Sequence, residues 1–330
     1  MATSEDVHSS YDEPIGTGGN REDLSDILWD ISPTETPGIQ ALGKGKATAV
    51  YHEHLTDALE AAADNQNVEG SDASLVKAAS RIRMGNYTQI FRKNASVSGT
   101  QEKVLKGGGI KSEMAYQTGR RMKAIKRDAE YNVFGRNNAK AAGTDLTARE
   151  MGSFSAYMGD ENGAIALPGS SYSTGDGAAP AGDGSDVPTA GTGRALTEDI
   201  WKDALEQLWI QSGGNENIIA LCGAHQRGVI STFTGSGTRY VTAEDKRLVN
   251  SIDVYDGDYH TVTVTPDRFC LDNAVFLIDG EYAKICDMRP IHSYDLAKLG
   301  DSYRKDIVWE FTLEVSNPRA HMMIDGLLTT

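Results

Sequence analysis

The sequence predicts an α+β protein, built on a long helix and an extended hairpin and followed by a lobe in which strands and helices succeed one another. Four stretches carry that expectation. Residues 110–137, IKSEMAYQTGRRMKAIKRDAEYNVFGRN, repeat apolar side chains at steps of three and four through Met114, Thr118, Met122, Ile125, Ala129 and Val133, so one stripe runs along a single amphipathic helix. Residues 46–57 and 81–99 alternate apolar and polar side chains as strands do. Residues 307–316 put Ile307, Trp309, Phe311, Leu313 and Val315 on one face and Glu310, Thr312 and Glu314 on the other, a strand whose apolar side needs a helix over it.

Along the chain, residues 1–22 have few apolar side chains and are expected to order only against a partner. From Asp23, LSDILWDISPTETPGIQALG is broken by Pro33 and Pro37 and reads as a helical turn followed by an extended arm. The strands at 46–57 and 81–99 flank a small, polar insert, LEAAADNQNVEGSDASLVKAA, so the expected arrangement is one long hairpin with a wide tip. A two-stranded ribbon is marginal in water, and one this long calls for support from outside its own subunit.

Gly107, Gly108 and Gly109 predict a flexible entry to the long helix, spine-like at about 40 Å, and Gly135 with Asn137 and Asn138 a left-handed exit. Gly119, inside it, suggests the close approach of a neighbour. Residues 143–158 read as short and amphipathic. Residues 159–193 hold nine Gly, three Pro, five acids and no Lys or Arg, the composition of an exposed loop between two lobes. Thr197 then caps a helix with Glu198 and Asp199 in its first turn and Ile200, Ala204, Leu205, Leu208 and Trp209 on its buried face. An apolar run at 218–222, a short helix around 226–233 and strands near 251–255, 260–265 and 274–278 complete a second α+β lobe.

The chain has 330 residues, enough for a sizeable core, and no window approaches 18 consecutive apolar residues. Its first residues, MATSEDVHSSYDEPIG, are acidic and polar where a secretory leader is basic and then apolar, so neither membrane nor secretory targeting is expected. Cys222, Cys270 and Cys286 are widely spaced in apolar surroundings and read as buried reduced thiols. The net charge of −15 is uneven: residues 1–76 carry 3 Lys+Arg against 15 Asp+Glu, residues 77–140 carry 15 against 4, and residues 141–330 carry 14 against 28. A basic middle between acidic flanks suits subunits that dock through complementary surfaces better than it suits a free nucleic-acid binder.

Each candidate for chemistry has a plainer reading. His52 and His54 share one strand face with Glu53 pointing away, and with no third donor near them in sequence no metal site is expected. Lys106 before three glycines lacks the full phosphate-loop pattern and reads as a hinge. Asp256 and Asp258 sit in a turn-forming DGD. There is no Gly-x-Ser-x-Gly elbow, and none of the seven His is spaced to serve a nucleophile, so no catalytic residue, metal or cofactor is assigned. Arg120, Arg121, Lys123, Lys126 and Arg127 could meet phosphates, but without interleaved aromatics the expectation is an acidic neighbour or weak, sequence-independent contact with enclosed nucleic acid.

Taken together, PTETPGIQALGKGKATAVYHE (33–53), VEGSDA (68–73), GNYTQIFRK (85–93), VSGT (97–100), EMAYQ (113–117), KRDAE (126–130) and, more weakly, IDVYDGD (252–258) carry a resemblance. The chain resembles the major capsid proteins of tailed bacteriophages with the Hong Kong 97-type fold, in the SU10-like branch once catalogued as a domain of unknown function. The resemblance implies an N-terminal arm (1–45), an extended loop (46–99), a peripheral domain built on the long helix (100–195), an axial domain (196–285) and a return to the peripheral domain (286–330). It implies pentamers and hexamers in a shell around double-stranded DNA, with the loop lying over a neighbour, and decoration, portal and scaffolding proteins as possible partners. Branch members often carry Trp where His54 stands. Two other readings stand beside it: an encapsulin-like shell around enzyme cargo, and a soluble metal-dependent enzyme using His52 and His54.

Overall fold

The computed structural model describes residues 32–57, 59, 62–72, 81–107, 109–159, 171–173, 177–189, 191–212, 217–233 and 253–329. Its longest helix, α3 (Glu113–Phe134), covers a four-stranded sheet of β1 (Gly43–Lys46), β10 (Ala283–Asp295), β11 (Ser302–Val315) and β4 (Gln89–Ser98), in that order. β1 runs parallel to β10, and β11 runs antiparallel to both β10 and β4. The odd-numbered residues of β11 from Ile307 to Val315 are buried in one core with Ile125, Ala129, Val133 and Phe134 of α3. Phe91 of β4 stacks on Phe311 at 4.9 Å, and this fixes the phase of β4: Phe91, Ala95 and Val97 point inward and Ile90 is left 44% exposed.

A second, six-stranded sheet is ordered β5 (Ser171–Ser173), β12 (Met322–Ile324), β9 (Val275–Ile278), β6 (Asn217–Cys222), β8 (Thr261–Pro266), β7 (Val254–Asp256). Helix α4 (Glu198–Gln211), capped by the Thr197 hydroxyl on Ile200 N–H, and α5 (Ala224–Ser231) pack on one face. Along β9, Val275 and Leu277 turn to that core while Phe276 and Ile278 turn to the core of the first sheet. The two lobes thus share buried surface, which is why 275–278 is apolar without a break. The final residues join this second sheet: β12 pairs with β9, so the segment 286–330 divides between the two layers.

The hairpin is shorter than its two alternating stretches. β2 (Tyr51–Thr56) pairs antiparallel with β3 (Ile82–Tyr87), but residues beyond Thr88 leave the ribbon and become β4. Buried Asn86 makes the break: its side chain accepts from Tyr87 N–H and Gly152 N–H at 2.9 Å each and donates to Leu313 O at 3.0 Å. Residues 62–72 of the insert are exposed throughout, and 73–80 lie outside the described residues.

Several expectations are corrected. Helix α3 has 22 residues, about 33 Å, and starts at a Ser112 cap. Gly119 has nothing within 4 Å of where a Cβ would be, so no neighbour within the described residues explains it. Gly135 is right-handed (φ −97°), and it is required because a Cβ there would lie 2.0 Å from Phe269 O. Trp201, not Trp209, fills the α4 core, while Trp209 stays 51% exposed against Tyr259. Residues 151–159 are wholly buried around a 3₁₀ turn at Phe154–Tyr157 rather than amphipathic. In the glycine-rich stretch, Gly184 N–H and C=O bond Ala156 and Lys140, and Pro180, Gly182 and Gly184 are buried; residues 160–170, 174–176 and 190 are outside the described set. The same holds for 1–31, where the polar arm and the helical turn from Asp23 were expected. The arm's described end is a short helix, α1 (Pro37–Ala41).

Candidate functional site

Polar chemistry gathers where the ribbon meets the four-stranded sheet, on the sheet face away from α3. β2 brings His52 there, β10 brings Cys286 and β11 brings Glu314, and their donor atoms lie within 4.8 Å of one another. His52 Nε2 is 2.7 Å from Glu314 Oε2, and Cys286 Sγ–H donates to the same oxygen at 3.2 Å. Ser316 Oγ donates to Oε1 at 2.7 Å. Burial opposes ionisation of Glu314, but the hydrogen bonds from His52, Ser316 and Cys286 outweigh it and hold its carboxyl down at about 2. Burial, with the Glu314 hydrogen bond and charge, pushes the Cys286 thiol up to about 12. His54 is held below the usual imidazole range, chiefly by burial, and its Nε2 is buried without a partner among the described residues.

Sequence spacing argued against a metal at His52 and His54 because it offered no third donor. The fold supplies Cys286 and Glu314, which lie 234 and 262 positions away from His52. No local signal could have paired them.

The other sequence candidates resolve differently. Lys106 Nζ turns back onto Glu102 O (2.9 Å) and Val104 O (3.3 Å), the carbonyls ending α2 (Gly99–Lys103). The N-terminus of α3 already holds an anion, because Glu102 Oε2 accepts from Glu113 N–H at 3.0 Å and Met114 N–H at 3.2 Å. Asp256 accepts from Thr261 Oγ1 within an exposed turn that also carries Asp258.

On α3, Arg120, Arg121, Lys123 and Lys126 are exposed, and Arg127 lies over the Phe269 ring at 5.2 Å. A shallow groove of about 200 Å³ separates this row from Ser32 and Thr34. Nothing in the sequence pattern singles out Glu130, which is fully buried. Its carboxylate accepts from Gly38 N–H (2.5 Å) and Ile39 N–H (2.8 Å), anchoring α1, and burial beside Asp267 raises it to about 8. Among the described residues no helix is long and apolar enough to cross a membrane.

These features describe surfaces, anchors and a ribbon root rather than a cleft, and comparison with known proteins identifies their setting. The family model of the SU10 major capsid protein matches residues 9–328. The chain belongs to that family. This SU10-family chain is 32% identical over 122 residues to the major capsid protein of Escherichia phage Phieco32, a match covering 37% of the chain and 33% of the relative. It superposes on the capsid of a native GTA particle with a TM-score of 0.65 at 11% identity, covering 99% of this chain and 100% of the other. The cyanophage A-1(L) capsid asymmetric unit gives 0.64 at 12% identity, with 94% and 98% covered. At those identities the likeness establishes the fold of this SU10-family member, the α+β Hong Kong 97-type fold of phage capsids.

Proposed function

We propose that this chain is the major capsid protein of a tailed bacteriophage, a structural and non-catalytic subunit that self-assembles into the icosahedral head around the double-stranded DNA genome. The observation that carries this is the SU10 family match across residues 9–328. The surface supports it. The described residues of the ribbon's insert, 59 and 62–72, are exposed, and the ribbon carries Leu55, Leu59 and Val68 at 60%, 98% and 80% exposure, apolar groups that a neighbouring subunit would cover. Trp209, Ile210 and Tyr259 add an apolar patch on the second lobe.

In this reading 1–45 is the arm, 46–99 the extended loop over a neighbour, 100–195 the peripheral domain, and 196–285 an axial domain meeting its copies in pentamers and hexamers. Residues 286–330 close the peripheral layer and end in the strand beside β9. The basic row of α3 faces acidic protein or, without sequence preference, the packaged DNA. Portal, scaffolding and decoration proteins would complete the virion, whose subunits are made in the host cytoplasm. The family match favours neither an enzyme-carrying shell nor a soluble enzyme.

Expressed protein should sediment as rings or closed shells visible by electron microscopy. Replacing residues 59–76 by a short Gly-Ser linker should leave a folded subunit that no longer closes shells. A monodisperse monomer at every salt and concentration, or normal shells from the linker variant, would overturn the reading.

A further inference from the structure

We propose that His52, Cys286 and Glu314 form a binding site for a thiophilic divalent cation, zinc by chemical class, which clamps the root of the β2–β3 ribbon to the four-stranded sheet. The set mixes a thiol, an imidazole and a carboxylate, the donors of zinc sites, where hard oxygen-only sets select magnesium or calcium. It is assembled from three strands, with the buried thiol on one side and half-buried partners on the other. Both His52 Nε2 and Cys286 Sγ converge on the single oxygen Glu314 Oε2. A cation between the three would replace the protons that they share.

The proton balance is simple. Cys286 loses its thiol proton to solvent and binds as thiolate, the proton that His52 Nε2 shares with Glu314 leaves through solvent so that Nε2 presents its lone pair with the remaining proton on Nδ1, and Glu314 binds as carboxylate. Two anionic donors then neutralise the dication. Lys284, two residues from Cys286 on β10 and opposite Glu314 on β11, is a cation acting on the cluster, and those two anions offset it.

Supporting contacts are in place. Ser316 Oγ holds the far oxygen of Glu314, as outer-shell donors do for ligating carboxylates. Gly45 of β1 leaves room for the thiol, since a Cβ there would lie 2.5 Å from Sγ. His54, two residues from His52 on the same strand face, has a buried Nε2 without a partner among the described residues and offers a spare donor beside His52 for a fourth position. The mechanical consequence follows from topology. Protein hydrogen bonds already tie the β3 side of the root, from Asn86 to Leu313 and from Thr312 Oγ1 to Tyr87 O, and the cation would tie the β2 side.

The test strips purified full-length protein with chelator and titrates it with Zn²⁺ against a chromophoric competitor, with Co²⁺ as a spectroscopic probe. One metal per chain and a thiolate-to-cobalt charge-transfer band are expected, together with a higher melting midpoint. Cys286→Ser should abolish the band. In Cys286→Ser, His52→Ala and Glu314→Gln, zinc affinity should fall by at least the roughly 10- to 100-fold that loss of an outer-shell partner costs. Substoichiometric binding, a missing cobalt–sulfur band, or wild-type affinity in Cys286→Ser would overturn the site. If Cys286→Ser does not fold by circular dichroism, the zinc affinity of His52→Ala, on the half-buried ribbon root, decides the question in its place. Shell formation, scored separately by microscopy without added metal, tests the capsid reading and not this site.

Discussion

Truncation of Ile125 tests whether α3 and β11 form the central packing contact of the subunit. Ile125 is fully buried, in one core with Ile307, Trp309, Phe311 and Leu313. Ile125→Ala removes three carbons, worth roughly 2.4 kcal/mol at about 0.8 kcal/mol each. Phe91 and Phe311 stack in the same core, and because a packed core relaxes only partly around a deleted side chain a cavity term adds, so the total should fall within about 2–5 kcal/mol. That is a large part of a typical domain's roughly 5–15 kcal/mol. Shells would obscure it, because subunit contacts stabilise by mass action. The measurement is therefore a denaturant melt in the background where residues 59–76 are replaced by a linker. Lys126→Ala, on the exposed face of the same helix, is the control and should change stability by less than about 0.5 kcal/mol. Equal stabilities for the two variants would show that α3 does not bury the face assigned to it.

Other substitutions probe what the structure alone revealed, and the same melts read them. Gly119→Ala meets nothing within 4 Å and should stabilise the subunit by about 1 kcal/mol through helix propensity; destabilisation would mean that an unseen contact exists. Gly135→Ala has an allowed backbone but places its Cβ against Phe269 O, and should cost about 1–3 kcal/mol; an unchanged midpoint would refute the close approach. Glu130 has its folded-state carboxyl raised from 4.5 to about 8, so the stability linked to its protonation is fully present below 4.5 and is lost as pH rises through about 8. Glu130→Gln should flatten that decline across the same window, and an unchanged pH slope would count against the buried anchor.

How much of this was legible in the chain depends on whether the governing interaction was local. The stripe of α3 could be read because Ile125, Ala129 and Val133 recur at helical spacing, and the Thr197 cap because its hydroxyl reaches only three residues ahead. Alternation likewise gave β11 and the antiparallel pairing of 51–56 with 82–87. The strand β10 gave no such signal: AKICDMRPIHSYD contains a proline and ends in exposed polar residues, and only its pairing with β1 and β11 makes it a strand. The phase of α4 was misjudged, with Trp209 placed on the buried face, because Trp201 and Trp209 both border the apolar stripe and the six-stranded sheet covers only the first. The cluster at the ribbon root lay furthest beyond sequence reasoning. Its residues sit at positions 52, 286 and 314, and nothing in their neighbourhoods records that Asn86 turns the chain out of the ribbon and brings β2 beside β10 and β11. Periodicity and capping are written within a few residues, whereas donor sets assembled from three strands exist only once the sheet has closed around them.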